Sequence, residues 1–220
     1  MKNINITLEQ HLAESGLVRL NRSNLPAFAH NIASAYVGYS LFDWTFDRKC
    51  TTEDQSRFFT ITFKTMLDNS VTFATSDAAE SIIALLSPDV KATTTWDYIK
   101  AGGIKLYWYF GFSRINRITS YEAFADSLRH KYSDARTWYL YDFTTCPEHQ
   151  HQGWGKKVLV PTLEWMDRKH CSLYLETAKD ENIKMYEKYG FTLVESATVP
   201  GSNGVPHYCM LRKPQVKTES

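Results

Sequence analysis

The sequence predicts an α/β layer structure with at least one parallel pair of strands. Three observations carry that reading. From Thr137 onward, short β-branched and aromatic runs alternate with helix-periodic segments, an order that favours a crossover between parallel strands. Glycines stand where helices would open and close, at Gly153 and Gly190. The composition, 43% hydrophobic and 22% charged over 220 residues, is that of one globular domain with an ordinary core.

Taken in order, Gly16 to Asn21 alternates like a strand. Ser23 and Asn24 before Pro26 then signal a helix start, with the helix running to about Tyr36. A second helix is expected from Thr52 to about Leu67, capped by Thr51 or Thr52 and apolar along Phe58, Ile61, Phe63 and Met66. Val71 to Thr75 and Ser81 to Leu86 read as strands. Residues 96 to 112 carry seven rings in seventeen positions, about three times the chain's 14% aromatic share, and are expected to fill core between helices or to line a pocket for an organic substrate. Tyr121 to His130 reads as helix, so an aromatic-rich helical insertion is expected at about 90 to 135 within a single domain covering 1 to 220.

The second half is more regular. Thr137 to Thr145 is a strand and Gly153 to His170 a helix with Leu159, Leu163 and Met166 on one face. Ser172 to Ala178 is the next strand. Asn182 to Tyr189 is a short helix closed by Gly190, and FTLVES and HYCMLR finish as strands around the turn-rich stretch Pro200 to Pro206.

Charge and composition narrow the function. Twenty-five Lys and Arg against 24 Asp and Glu leave a net charge of +1, which offers nucleic acid no reason to bind. The four cysteines, Cys50, Cys146, Cys171 and Cys209, form no metal-spaced cluster and read as free thiols of a reducing compartment, so no metal is expected. The N-terminus lacks an apolar signal-like run and the longest aliphatic stretch, Ile82 to Leu86, is too short to span a bilayer, so a cytoplasmic protein with no membrane association is expected.

The chemistry concentrates in one stretch. A strand leads through Cys146, Pro147, Glu148 and His149 into Gln150-His151-Gln152-Gly153-Trp154-Gly155-Lys156-Lys157, and then into a helix. Amide hydrogens at such a helix start lack partners and sit at the positive end of the dipole, which makes an anion site. Gly153 and Gly155 let a phosphate approach the backbone, and Lys156 and Lys157 add charge. A P-loop is excluded because no Ser or Thr follows the lysine and the upstream glycine is missing. A dinucleotide fold has its GxG and an acid, Glu176, 23 residues after Gly153, but its third glycine position is Val158.

The whole stretch, a QxxGxG turn followed by helix, strand and the segment NIKMYEKYGF from Asn182 to Phe191, resembles the GCN5-related N-acetyltransferases (GNAT superfamily). The likeness covers about Tyr139 to Arg212. It looks closest to the puromycin N-acetyltransferase-like branch, through Pro161 in the helix, Leu175-Glu176-Thr177 and the ending Cys209 to Pro214. The resemblance implies a mixed, splayed central sheet flanked by helices, and transfer of the acetyl group of acetyl-CoA to a primary amine of a small molecule or peptide by direct attack in a ternary complex. It further implies that Phe143, Thr144 and Thr145 receive the pantetheine arm, that Gln150, His151, Gln152, Gly153, Trp154 and Gly155 hold the pyrophosphate, and that Asn182 contacts the cofactor. Tyr186 is then the acid that protonates the leaving thiolate, and the protein a monomer or homodimer. Three positions depart from the pattern, with Thr145 for an aliphatic residue, Cys146 for Asp and Gln152 for a basic residue, which bears on affinity for the phosphates. A non-catalytic acyl-CoA-binding sensor and a dinucleotide-binding oxidoreductase are the alternative readings.

An alkyl amine is only about 0.1% neutral at pH 7, a penalty of roughly 4 kcal/mol on the attacking form, so a base is needed. Glu176 at its strand end, and Asp142 on the preceding strand, are the candidates. Rings and acids occur together in LFDWTFDR, so Asp43 or Asp47 is expected to pair with a second amine of a cationic acceptor and Trp44 to stack on it.

Overall fold

The computed structural model describes residues 7–90 and 94–215. The chain starts with α1 (Leu8–Glu14), which Thr7 and Gln10 close reciprocally in a capping box, a signal present in the sequence that the reading above does not use. Then come β1 (Val18–Arg19), α2 (Leu25–Ala35), α3 (Ser40–Thr45) and α4 (Thr52–Met66), the last capped by Thr51. Strands β2 (Val71–Ala74) and β3 (Ser81–Leu86) precede two helices, α5 (Thr95–Ala101) and α6 (Ile104–Tyr132). The remainder is β4 (Thr137–Thr145), α7 (Trp154–Lys169), β5 (Ser172–Thr177), α8 (Asp180–Glu187), β6 (Thr192–Thr198) and β7 (Pro206–Arg212).

The strands form one mixed sheet ordered β1-β2-β3-β4-β5-β7-β6, in which β4 and β5 are parallel and the other neighbours antiparallel. The parallel pair is the crossover that the alternating pattern requires, with α7 as its connection. Central β3 is buried along nearly its whole length because helices cover both faces. Its alternation divides the core: Ile83 and Leu85 pack toward α1 and α7 with Leu12, Leu159 and Met166, while Ile82 and Ala84 pack toward α2 and α4 with Phe28, Ile32 and Phe63.

The ring-rich segment departs from expectation. Phe110 is in the core and Tyr98 packs against it, but Trp96, Tyr107, Trp108, Tyr109 and Phe112 are exposed, Trp108 at 87%. Gly111 (φ 76°, ψ 165°) breaks helical geometry inside α6, so the ring-bearing first turns of α6 take a different direction from the rest. Among the described residues no helix is long and apolar enough to cross a membrane, and no group of three or more His, Cys, Asp or Glu side chains could hold a metal ion.

One irregularity positions everything that follows. β4 and β5 pair only from Thr137 with Ser172 to Leu140 with Leu175. At the same point β4 slips against β3, for Leu85 faces Leu140 while Ala84 faces Asp142, so Tyr141 is an extra residue on the strand. A bulge bends its strand and resets the in-and-out alternation. Beyond it Asp142 and Thr144 turn to one face, and Phe143 and Thr145 turn to the other, against α7. β4 then continues with β3 alone and β5 with β7 alone, leaving a wedge between them.

Candidate active site

Two openings meet at this wedge. The smaller, of about 150 Å³, lies between the ends of β4 and β5 and reaches Gln150, Asn182 and Tyr186; the larger, of about 800 Å³, lies between the sheet and α2, α4 and α6. Both are bounded by Tyr36, Tyr39, Tyr141, Asp142, Glu176 and Thr177, so these six residues stand at the junction.

The turn into α7 has the geometry of an anion cradle. His151 and Gly153 take left-handed backbone angles (φ 60° and 83°), and Gly153, at the N-cap, has no side chain to occupy the first-turn amides. Gly155 serves a different purpose from the one inferred above. A Cβ there would lie 3.1 Å from Phe143 Cζ and 3.2 Å from Thr145 Oγ1, so the absent side chain is what lets α7 lie close on β4. Gln150 Nε2 donates to the Thr145 carbonyl at 3.1 Å, Gln152 Nε2 donates to the Glu148 carbonyl at 2.8 Å, and Lys157 Nζ sits 3.4 Å over the Trp154 ring. The uncapped amides, the nearby lysines and the adjoining cleft suit the diphosphate and arm of a nucleotide-linked thioester.

Tyr186 lies on α8 with its ring against Phe143 and Phe191, at centroid distances of 6.2 and 5.4 Å. Gly190 (φ 84°) ends that helix: Gly190 N donates to the Glu187 carbonyl and Phe191 N to the Tyr186 carbonyl, the two-bond closure expected of a C′ glycine. The side chain is 6% exposed, and burial, with Tyr39 and Asp142 nearby, holds its phenol well above the ordinary value. Asn182 is not the N-cap of α8, which begins two residues earlier than expected; its Nδ2 donates to Thr177 Oγ1 at 2.9 Å from within the first turn.

Two buried carboxyls face each other's strands across the wedge. Burial pushes Asp142 up to about 7, against the pull of the Thr144 hydroxyl (2.7 Å) and the Tyr36 hydroxyl (3.2 Å), both of which donate to it. Glu176 is likewise raised to about 7 by burial, although the Tyr139 and Tyr174 hydroxyls donate to it at 3.0 and 3.1 Å. His207 on β7 brings Nε2 to 4.0 Å from Glu176 Oε1; burial lowers it to about 4, so it is neutral at pH 7 and that nitrogen has no hydrogen-bond partner among the described residues.

Not every expected residue arrives here. Asp43 borders neither opening, because its Oδ1 accepts the Cys50 amide at 2.8 Å and closes the loop after α3. Trp44 also borders neither opening; its indole donates to the Gly201 carbonyl at 3.2 Å, and Asp47 pairs with Arg117 at 3.1 Å. Conversely, Tyr36 and Tyr39 stand at the junction without having been singled out in the sequence. Gly38 (φ 75°) turns the chain between them, so that their rings meet edge to face at 5.1 Å, and Tyr39 Oη accepts the Ala178 amide at 2.6 Å. The YVGY string was the available signal.

Comparison with known proteins agrees with this geometry. Residues 104–191 match the family model described as Acetyltransferase (GNAT) family. An uncharacterized N-acetyltransferase of Schizosaccharomyces pombe is 28% identical over 97 residues, 44% of this chain, and the match spans only 38% of that relative. Among solved structures, the histone acetyltransferase HPA2 and related acetyltransferase from Corynebacterium glutamicum is similar with a TM-score of 0.59 at 16% identity, covering 92% of this chain and 98% of that one. The ribosomal-protein-S18-alanine N-acetyltransferase from Escherichia coli is similar with a TM-score of 0.51 at 14% identity, covering 93% and 96%. The fold is that of the GNAT acyltransferases, shared with these structural neighbours, and the match to the family model lies within residues 104–191.

Proposed function

We propose that the protein is an acetyl-CoA-dependent N-acetyltransferase acting on a primary amine, working as a single domain in which residues 90 to 135 are an insertion on the acceptor side. The observation that carries this reading is the wedge itself: Gln150 at the head of the uncapped turn into α7, the unpaired inner edge of β4 and the Tyr186 side chain border one cleft that opens onto a second, larger cavity, while His151 to Gly155 lie beyond its lining. Within the superfamily we place it nearest the puromycin N-acetyltransferase-like branch, on Pro161, Leu175-Glu176-Thr177 and its C-terminal motif. We take it as cytoplasmic, in keeping with four free cysteines.

The bound coenzyme supplies an acetyl group activated as a thioester. The chain's own residues do the rest. The amides that follow Gln150, from His151 to Gly155, aided by Lys156, hold the diphosphate, while Gln150, Phe143, Thr144, Thr145 and Asn182 line the path toward the junction. The acceptor amine reaches the junction from the larger cavity. Glu176, or Asp142 across the wedge, takes its proton; a carboxyl raised to about 7 exchanges protons near neutral pH far better than an exposed one. Tyr186 donates its phenol proton to the departing sulfur. Burial makes that phenol a weaker acid than an exposed tyrosine, but the same dry surroundings destabilise a thiolate and raise its hunger for the proton.

A thiol-release assay with acetyl-CoA over a panel of amines tests the reading, beside thermal shifts with CoA, acetyl-CoA, NAD and NADP. Acetyl-CoA at 100 times its dissociation constant stabilises by about 2.7 kcal/mol. Stabilisation by NAD or NADP alone, with no thiol released, would overturn it.

A further inference from the structure

The larger cavity says what kind of acceptor it takes, on the acyltransferase reading given above. α6 turns one face to it, with Tyr121, Glu122, Ala125, Asp126 and Arg129 recurring at three- and four-residue intervals. The charges on the cavity wall are nearly all answered by protein. Asp126 pairs with Arg129 and with His130 Nδ1, the latter at 3.3 Å. Asp134 Oδ1 accepts the Thr137 hydroxyl at 2.7 Å and the Arg136 amide at 2.9 Å, and Asp142 and Glu176 each accept two hydroxyls. Glu122 is different. It borders the cavity and is exposed, and among the described residues no hydrogen bond or salt bridge reaches its carboxylate, although the charge of Arg129, itself paired with Asp126, acts on it.

Tyr98, Tyr121 and Tyr141 border the same cavity as Glu122. Their phenols are raised first by burial and further by the charges around them, that of Glu122 included and, for Tyr121, that of Glu176 ahead of it. Aromatic faces and an unanswered carboxylate together favour an alkyl ammonium over a neutral or anionic group. Of the other acids on the wall, Asp142 and Glu176 stand at the junction, where the acceptor's reacting nitrogen must lie. A volume of about 800 Å³ is also far more than a short monoamine fills.

We propose that the acceptor carries two cationic nitrogens, of the alkyl diamine or polyamine class, with one at the Asp142 and Glu176 junction and the other against Glu122. The first nitrogen, once it has given a proton to the junction carboxylate, forms the amide bond to the acetyl carbon as the carbon–sulfur bond breaks; the sulfur takes a proton from Tyr186, and the second proton that leaves the nitrogen as it becomes an amide restores that phenol. The second stays an ammonium throughout and sets which amine end is presented.

The test compares 1,4-diaminobutane, 1,5-diaminopentane, 1,6-diaminohexane and spermidine with butylamine, pentylamine and hexylamine in the thiol-release assay. At least one diamine should exceed its equal-length monoamine by about tenfold in kcat/KM, the size of effect one charge-assisted contact gives. Glu122→Gln should bring that ratio to about one through the diamine's KM, and Glu122→Asp, which keeps the charge, should retain most of it. Monoamines as good as diamines, or a ratio that E122Q leaves intact, would overturn the proposal. If acetyl-CoA binds but no amine is acetylated, the acyltransferase reading fails separately. Calorimetric titration of the same diamines and monoamines into the coenzyme complex then decides this inference, with equal affinities, or diamine binding that E122Q does not weaken, counting against it.

Discussion

The Tyr36 hydroxyl donates to Asp142 Oδ2 at 3.2 Å, joining the end of α2 to the strand that turns away from its neighbour. This carboxyl is 4% exposed, and burial raises it to about 7 despite that bond and the one from Thr144. In an unfolded chain the same group loses its proton near pH 4. Between those two values the folded state holds more protons, so Asp142 subtracts stability as pH rises from about 4 to about 7 and changes little beyond. Asp142→Asn removes that contribution. Urea midpoints at pH 5 and pH 8 should therefore differ less in D142N than in the parent protein; an unchanged difference would show that the carboxyl titrates as an exposed one.

Tyr186 is buried against Phe143 and Phe191 and borders the coenzyme cleft, but no protein group among those described hydrogen-bonds its hydroxyl. Tyr186→Phe deletes one oxygen and keeps the ring contacts. Turnover should fall by about 10² or more, the usual worth of a positioned acid, with coenzyme affinity within about twofold. Isothermal titration with CoA beside steady-state rates separates the two quantities, and unchanged turnover would remove the residue from the chemistry.

Much of this fold was legible because its signals are local. Thr51 caps α4, Gly190 closes α8, and the strands at 71–74, 81–86, 137–145 and 172–177 lie where β-branched and aromatic runs place them. α1 went unread although its Thr7 and Gln10 capping pair was in plain view. The sequence points to the candidate site in local stretches, Asp142 to Thr145, Gln150 to Gly155 and Asn182 to Tyr186, and at Glu176, and of these Asp142 to Thr145, Gln150, Glu176, Asn182 and Tyr186 border the cleft. The bulge at Tyr141 was not legible, since it reflects a mismatch of register between two strands rather than anything in TWYLYDFTT. Tyr36 meets Asp142 across 106 positions, and His207 meets Glu176 across a strand pair, distances that no local pattern records. Within 41–48, Phe42 does line the larger cavity while Asp43, Trp44 and Asp47 do not; Asp43 satisfies a backbone amide instead, a common task for aspartate.

Gly153 and Gly155 make separable demands. An alanine at 153 finds nothing within 4 Å but must adopt φ +83°, a conformation costing an L-residue about 1–2 kcal/mol. An alanine at 155 has no such strain but would press on Phe143 and Thr145 at 3.1 and 3.2 Å, forcing α7 and β4 apart by a few tenths of an ångström. G153A should thus lower the melting temperature with a modest loss of coenzyme affinity from the altered turn. G155A should cost more affinity than its loss of stability accounts for, because the strand it displaces lines the cleft. Calorimetric melts and CoA titrations on both variants check the contrast, and equal losses of affinity in the two would refute it.

Which carboxyl takes the acceptor's proton can be read from the hydroxyls that serve each one. Glu176 accepts from Tyr174 at 3.1 Å, and Asp142 accepts from Tyr36. A hydroxyl donating to a carboxylate favours its charged form, so removing the donor raises that carboxyl's pKa. The acidic limb of kcat/KM follows the free enzyme's base, placed near pH 7 by burial of either group. If Glu176 is the base, Tyr174→Phe moves that limb to higher pH while Tyr36→Phe leaves it in place; if Asp142 is the base, the two variants exchange behaviour. Tyr174 is wholly buried on the central sheet and lines neither opening, so its replacement alters the limb without touching the acceptor. His207 does not confuse the assignment, because burial keeps its imidazole neutral down to about pH 4. We expect the shift in Tyr174→Phe, since Glu176 lies one residue before the end of β5 where the strand leaves β4, and a limb unmoved in both variants would exclude a carboxyl base at the junction.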